Sequence, residues 1–155
     1  MQSAINEQIN LEMFSANTYL SMSTYFAQQG LDGFAHWYYM QYKEELTHAE
    51  DMMHYVITRG GKVEIKAVAA VETEFNSPLE IAEKAYHHEC LVSEKIENLV
   101  RIASEEKDMP SQDFFWKYIR EQVEEEANAT NLIERLRLAE GHAILFLDKE
   151  LAARQ

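Results

Sequence analysis

Glu44-Glu45-Leu46-Thr47-His48 lies near the middle of a helical pattern that runs over residues 32–59. Glu45 and His48 are spaced i, i+3, so a helix places both on one face. The stripe through that face reads Ala35, Tyr38, Tyr42, Glu45, Ala49, Met52 and Val56. A carboxylate therefore stands in a line of packing residues. An ionised carboxylate buried there is costly unless it is paired or holds a metal. Glu-x-x-His also arises by chance on solvated helix faces. The motif gains meaning only if other helices place carboxylates in their own apolar stripes.

They do. The pattern over residues 3–29 has Gly30 as its stop. Its stripe, Ile5, Ile9, Glu12, Ala16 and Tyr19, is again interrupted by a glutamate. The short turn Gly30-Leu31-Asp32-Gly33 returns the second helix antiparallel, and Gly60-Gly61 ends it. Ser77-Pro78-Leu79-Glu80 opens a third helix, with Ser77 as N-cap, Pro78 in the first turn and Glu80 completing a capping box. Its stripe reads Ala82, Tyr86, Glu89, Val92, Ile96, Leu99 and Ala103. The helix fades near Lys107, and Pro110 starts a fourth with the stripe Phe115, Tyr118, Gln122, Glu125, Ala129, Leu132 and Leu136. Gly141 ends it. A short fifth helix over residues 143–153 carries Ile144, Leu145, Phe146, Leu147 and Leu151. The four seams are already filled, so this helix is expected to bury its apolar face between subunits.

Residues 62–76 lack helical periodicity. Their Val and Ile content suits extended chain, yet the sequence offers no partner strand. So long a connection is unusual in a compact bundle, but it fits a crossover. A helix of about 27 residues is roughly 40 Å long. About 16 extended residues at roughly 3.3 Å each can span it. The second and third helices then run parallel. The expected fold is all-α: a ferritin-like, up-down-down-up four-helix bundle with one long crossover and a short C-terminal helix.

Composition agrees. A chain of 155 residues suits one domain, residues 1–155, with a sizeable core, and 5 Gly and 2 Pro favour helix over turns. The single cysteine, Cys90, excludes an internal disulfide framework and a four-cysteine metal module. No basic segment precedes an apolar run at the N-terminus, and no apolar run nears the ~20 residues of a membrane span. A cytoplasmic protein is expected. The net charge of −13 argues against nucleic acid and anionic membrane as partners and would attract cations. Acidity alone is equally what solubility would give.

Each long helix thus has one seam carboxylate: Glu12, Glu45, Glu89 and Glu125. Two divalent cations would balance the four charges, with neutral His48 as a further ligand. The oxygen-rich set suits iron or manganese better than copper and has no thiolate to favour structural zinc.

The segments Asn6-Glu7-Gln8-Ile9-Asn10-Leu11-Glu12, Glu44-Glu45-Leu46-Thr47-His48, Tyr86-His87-His88-Glu89 and Glu121-Gln122-Val123-Glu124-Glu125-Glu126 together resemble bacterial non-haem ferritins. The likeness covers nearly the whole chain, with an N-terminus a few residues shorter than usual. It implies iron storage and ferroxidase activity. Fe(II) would be oxidised with O2 or hydrogen peroxide at a di-iron centre inside each subunit, and ferric mineral laid down in a hollow homo-oligomeric shell of 24 subunits. It implies a first iron held by Glu12, Glu45 and His48, and a second held by Glu45, Glu89 and Glu125, with Glu45 bridging. Gln122 would hydrogen-bond oxygen species at the irons. Glu44, Glu121, Glu124 and Glu125 would form a third, transient iron site. Tyr19, beside the first site, would supply an electron; it reads equally well as a core aromatic with a bonded hydroxyl.

The chemistry supports these roles. Reducing O2 to peroxide takes two electrons, and two irons bridged at about 3.5–4 Å deliver both together. The fourth helix carries Gln122-x-x-Glu125 rather than a second Glu-x-x-His. The second site therefore lacks imidazole and should bind iron more weakly, which favours release into a store. His36, His54, His87, His88 and His142 have no seam partners and read as surface or interface residues. Cys90 points off the seam.

Four rivals are weaker. Bacterioferritin places a haem-binding methionine directly after the bridging glutamate, where this chain has Leu46. No haem is expected, although Met52 and Met53 keep that reading open. A rubrerythrin-like di-iron peroxidase usually carries a four-cysteine domain. A DNA-protecting mini-ferritin builds its site between subunits and suits a less acidic surface. A purely structural bundle leaves four seam carboxylates unexplained.

Overall fold

The computed structural model describes residues 1–139 and 141–153. Five helices are present among them: α1 (Gln2–Gln28), α2 (Asp32–Thr58), α3 (Pro78–Glu105), α4 (Met109–Leu138) and α5 (Ala143–Leu151). No described residue is in a strand. The ends fall within two residues of those read from the stripes, except that α4 stops at Leu138, three residues before Gly141.

Two apolar clusters fix the topology. One joins Tyr19, Phe26, Phe34, Tyr38, Ile81 and Leu132; the other joins Ile5, Ile9, Met52, Val56, Val92 and Phe115. The first thus collects the C-terminal half of α1, the N-terminal halves of α2 and α3, and the C-terminal half of α4. Helices α2 and α3 therefore run parallel in the up-down-down-up bundle, and the seam glutamates lie between the clusters. Aromatic stacking rigidifies the first. Phe26 lies 4.9 Å from Phe34 and 5.4 Å from Tyr38, and Tyr19 lies 6.1 Å from Tyr38, all near-parallel.

The crossover finds its partner on α1. Asn6 donates to the Lys62 carbonyl at 2.9 Å and accepts from the Glu64 amide at 2.8 Å. Asn10, one turn on, donates to the Glu64 carbonyl at 2.8 Å and accepts from the Lys66 amide at 2.7 Å. Two side-chain amides spaced i, i+4 thus replace the missing neighbouring strand and satisfy the extended backbone. Farther along, Ser21 donates to the Glu72 carbonyl at 2.6 Å, and Phe75 packs edge-on against Tyr25.

Capping follows the sequence with one variation. Ser77 accepts from the Glu80 amide at 3.1 Å, but the Glu80 carboxylate accepts from Asn76 rather than from Ser77. At α4 the cap is Asp108, which accepts from the Ser111 amide and is paired with Arg59.

The fifth helix corrects an expectation. The filled seams predict burial between subunits, yet one face of the helix docks on its own bundle. Leu147 and Leu151 are buried in the first cluster. Asp148 accepts from the Phe34 amide at 2.9 Å, satisfying an end group of α2. Arg135 of α4 pairs with Glu150. The close approach is possible because Gly33 has no side chain; a Cβ there would sit 1.6 Å from the Asp148 carbonyl oxygen. Two large apolar side chains of α5 stay outside: Phe146 is 76 % and Leu145 55 % exposed, and Leu138 at the end of α4 is 83 % exposed.

Candidate metal centre

The stripes deliver five polar groups to the middle of the bundle. Glu12, Glu45, Glu89 and Gln122 are all buried, and Glu125 is half-buried. Carboxylate and ring atoms of Glu12, Glu45 and His48 lie within 4.8 Å of one another. Gln8, one turn before Glu12, donates to its Oε1 at 2.8 Å. The other oxygen, Glu12 Oε2, is buried with no hydrogen-bond partner among the described residues. A buried carboxylate oxygen without a donor is a large unmet cost. A divalent cation among Glu12, Glu45 and His48 would remove it.

A second cluster within 4.8 Å joins Glu44, His48 and Glu121, all half-buried. His48 links the two: Nδ1 faces Glu45 at 3.3 Å and Nε2 faces Glu121 at 3.2 Å. Two carboxylate neighbours overcome the opposing effect of burial and raise the imidazole to about 11. The first cluster opens through His48 to a groove between α2 and α4, lined also by Asp51, Lys117 and Tyr118. Glu124 lies exposed on α4, outside this cluster.

Glu89 faces a different set of groups. Tyr19 donates its hydroxyl to Glu89 Oε1, and Gln122 donates to Oε2 at 2.9 Å. The resemblance implies Tyr19 beside the first iron; its hydroxyl meets Glu89, which the same resemblance assigns to the second. Gln41, buried on α2, donates to Glu125 Oε2 at 2.9 Å. Sequence reasoning passed over Gln8 and Gln41, although each stands four residues before a seam glutamate. His88, expected at the surface or an interface, instead turns inward: its Nε2 lies 2.7 Å from Ser15 Oγ and its ring meets Tyr19 edge-on. Burial depresses that imidazole to about 4. His54, His87 and His142 are exposed.

Desolvation dominates the remaining titrations. It raises Glu12 well above its ordinary range, and the Glu45 charge adds to this. Burial also raises Glu45. It lifts Glu89 to about 7, against the Tyr19 and Gln122 hydrogen bonds. The metal-free centre therefore holds protons that a cation must displace. Affinity for Fe(II) should fall as pH drops.

The same protons set the stability of the metal-free protein. Glu89 rises from 4.5 to about 7 on folding, and His48 from 6.5 to about 11. Together these groups make the folded chain bind more protons and outweigh His88, whose depressed imidazole acts the other way below its ordinary 6.5, so stability falls as pH rises. Metal-free protein should melt at a higher temperature near pH ~5.5 than near pH ~8.5. Scanning calorimetry after chelation tests this; a melting temperature that climbs with pH would contradict it.

Comparison with known proteins decides the family. Residues 2–139 match the ferritin-like domain. The chain belongs to the ferritin-like family. It is 46 % identical over 154 residues to a bacterial non-heme ferritin of Bacteroides fragilis, covering 99 % of this chain and 97 % of that one. A bacterial non-heme ferritin of Staphylococcus haemolyticus is 37 % identical over 153 residues, 97 % of this chain and 92 % of that one. Among solved structures, the open pore ferritin of the hyperthermophilic archaeon Archaeoglobus fulgidus superposes with a TM-score of 0.98 at 47 % identity, covering 100 % of this chain and 96 % of that one. These ferritin relatives agree with the bacterial non-haem ferritin resemblance seen in the motifs. No described helix is long and apolar enough to cross a membrane.

Proposed function

We propose that this ferritin-like chain is a ferroxidase subunit of an iron-storing shell. The orphaned Glu12 oxygen carries the reading: a bundle that buries it beside Glu45 and His48 is built to receive a cation. Fe(II) is the substrate and ferric mineral the cargo. The first Fe(II) enters among Glu12, Glu45 and His48, whose imidazole gives up a proton to bind. The second is held by Glu45, Glu89 and Glu125, with Glu45 shared. Two Fe(II), one O2 and two protons give two Fe(III) and one hydrogen peroxide, so the electrons balance within one site. Protons already held at the site are available for that step.

Gln122 orients Glu89 and faces the reacting oxygen. Tyr19, hydrogen-bonded to the same carboxylate, is placed to pass an electron. The groove beyond His48, with Glu44 and Glu121 at its mouth, offers carboxylates along which Fe(III) leaves; Glu124 and Glu125 continue that acidic path on α4. Leu138, Leu145 and Phe146, exposed at the end of α4 and on α5, are large apolar side chains of the kind an interface covers. They support burial against neighbouring subunits in a shell of the 24-mer type.

Aerobic Fe(II) loading followed by sizing and electron microscopy tests storage. Large particles with electron-dense centres are expected; small species with precipitated ferric hydroxide outside them would refute it. Gln122→His should tighten the second iron by adding an imidazole, slowing turnover and raising retained iron. Unchanged affinities in an anaerobic Fe(II) titration would refute that ligand assignment.

A further inference from the structure

Gln41 is a buried polar residue beside the centre that the ligand assignments leave unused. It is 5 % exposed, and its Nε2 donates to Glu125 Oε2 at 2.9 Å. Its carbonyl oxygen, Oε1, is buried with no hydrogen-bond partner among the described residues. The amide orientation follows from chemistry, since only the N–H side can face an ionised carboxylate without repulsion. Gln41 also lines a cavity of about 20 Å³, together with Tyr19, Glu89 and Glu125. That is enough for one water or one small cation. Two carboxylates and an orphaned carbonyl oxygen form an all-oxygen donor set suited to a hard divalent ion.

We infer that Gln41 completes the weaker of the two cation positions, as its neutral oxygen donor and as the clamp on Glu125. This rests on the two-cation reading above and adds a residue to it. The N–H of Gln41 fixes the Glu125 carboxylate. Its Oε1 accepts the cation, or a water bound to it, without adding charge. The first position, at Glu12 and His48, does not touch Gln41. Both positions share Glu45, so on α2 they differ in His48, which serves the first, and Gln41, one helical turn before Glu45, which serves the second.

Calorimetric titration of metal-free protein with Zn(II) or Co(II) under argon tests this without turnover. The native chain should bind two cations per subunit. Gln41→Leu, close in volume, should leave the first association unchanged and weaken the second by about ten- to a hundred-fold. Gln41→Glu keeps an oxygen donor but loses the N–H clamp, so it should restore much of the second affinity. Equal second-site affinity in the native and Gln41→Leu proteins overturns the inference while leaving the two-cation centre standing. So does a Gln41→Glu protein as weak as Gln41→Leu, which would reduce Gln41 to a clamp. A native chain that binds fewer than two cations removes the two-cation reading itself. The Co(II) visible spectrum gives a second readout: the second equivalent should change its coordination bands in Gln41→Leu, and the first should not.

Discussion

Glu45→Ala is expected to abolish fast oxidation of Fe(II) while the chain still folds. Glu45 is the seam residue that stands between the Glu12–His48 cluster and Glu89. His48 lies 3.3 Å away, Glu12 stands in its cation cluster, and the Glu89 charge acts on it. On the proposed ligand set, removing it takes a ligand from both irons, whereas Glu12→Ala or Glu89→Ala takes one from a single iron. The loss of initial rate should exceed the ~100-fold typical of removing a residue that merely supports a metal ligand. The single-ligand variants should lose less. The fold should survive because a buried, repelled carboxylate is itself a strain; its charge is one reason that Glu12 holds its proton. The void left is small and already polar. Circular dichroism and particle size should match the native protein. Near-normal oxidation rates in an intact Glu45→Ala shell would place the chemistry elsewhere.

Gly33→Val should dislodge α5. A Cβ at this position would meet the Asp148 carbonyl oxygen at 1.6 Å, a backbone atom that cannot turn aside. The helix must move, and Phe34 then loses the Asp148 cap on its amide. Overpacking of this kind costs about 1–3 kcal/mol, and a lost helix cap about 1 kcal/mol more. Undocking also exposes Leu147 and Leu151, at roughly 1.5–3 kcal/mol each for full exposure. The variant should melt lower, be clipped by protease between α4 and α5, and assemble poorly. Leu147→Ala makes the same point from the packing side, with an expected loss of about 2–5 kcal/mol. Native stability and assembly in Gly33→Val would show that α5 does not depend on this contact.

These two predictions mark the boundary of what the sequence discloses. The seam glutamates were legible because each is a single charge in an otherwise apolar stripe of period 3.6. Periodicity also located Gln122. It could not reveal how these groups pair across helices, because hydrogen bonds such as Tyr19 to Glu89 and Gln41 to Glu125 join residues 70 and 84 positions apart. Gln8 and Gln41 left a trace, each one turn ahead of a seam glutamate, but on sequence alone they read as ordinary helix residues. Gly33 was read as part of a turn, whereas it lies inside α2 at a close backbone approach. Burying half of α5 on its own bundle follows from that contact, and no apolar pattern encodes it. Asn6 and Asn10 likewise gave no sign that they would clasp the crossover.

Oxygen consumption by metal-free protein preloaded anaerobically with Fe(II), followed in parallel by stopped-flow absorbance, tests the central claim most directly. The fast phase should grow with added iron and saturate at two Fe(II) per chain, consuming one O2 for every two irons. A fast phase that saturates at one iron per chain, or that never saturates, would contradict a paired-iron centre built on Glu12, Glu45, His48, Glu89 and Glu125.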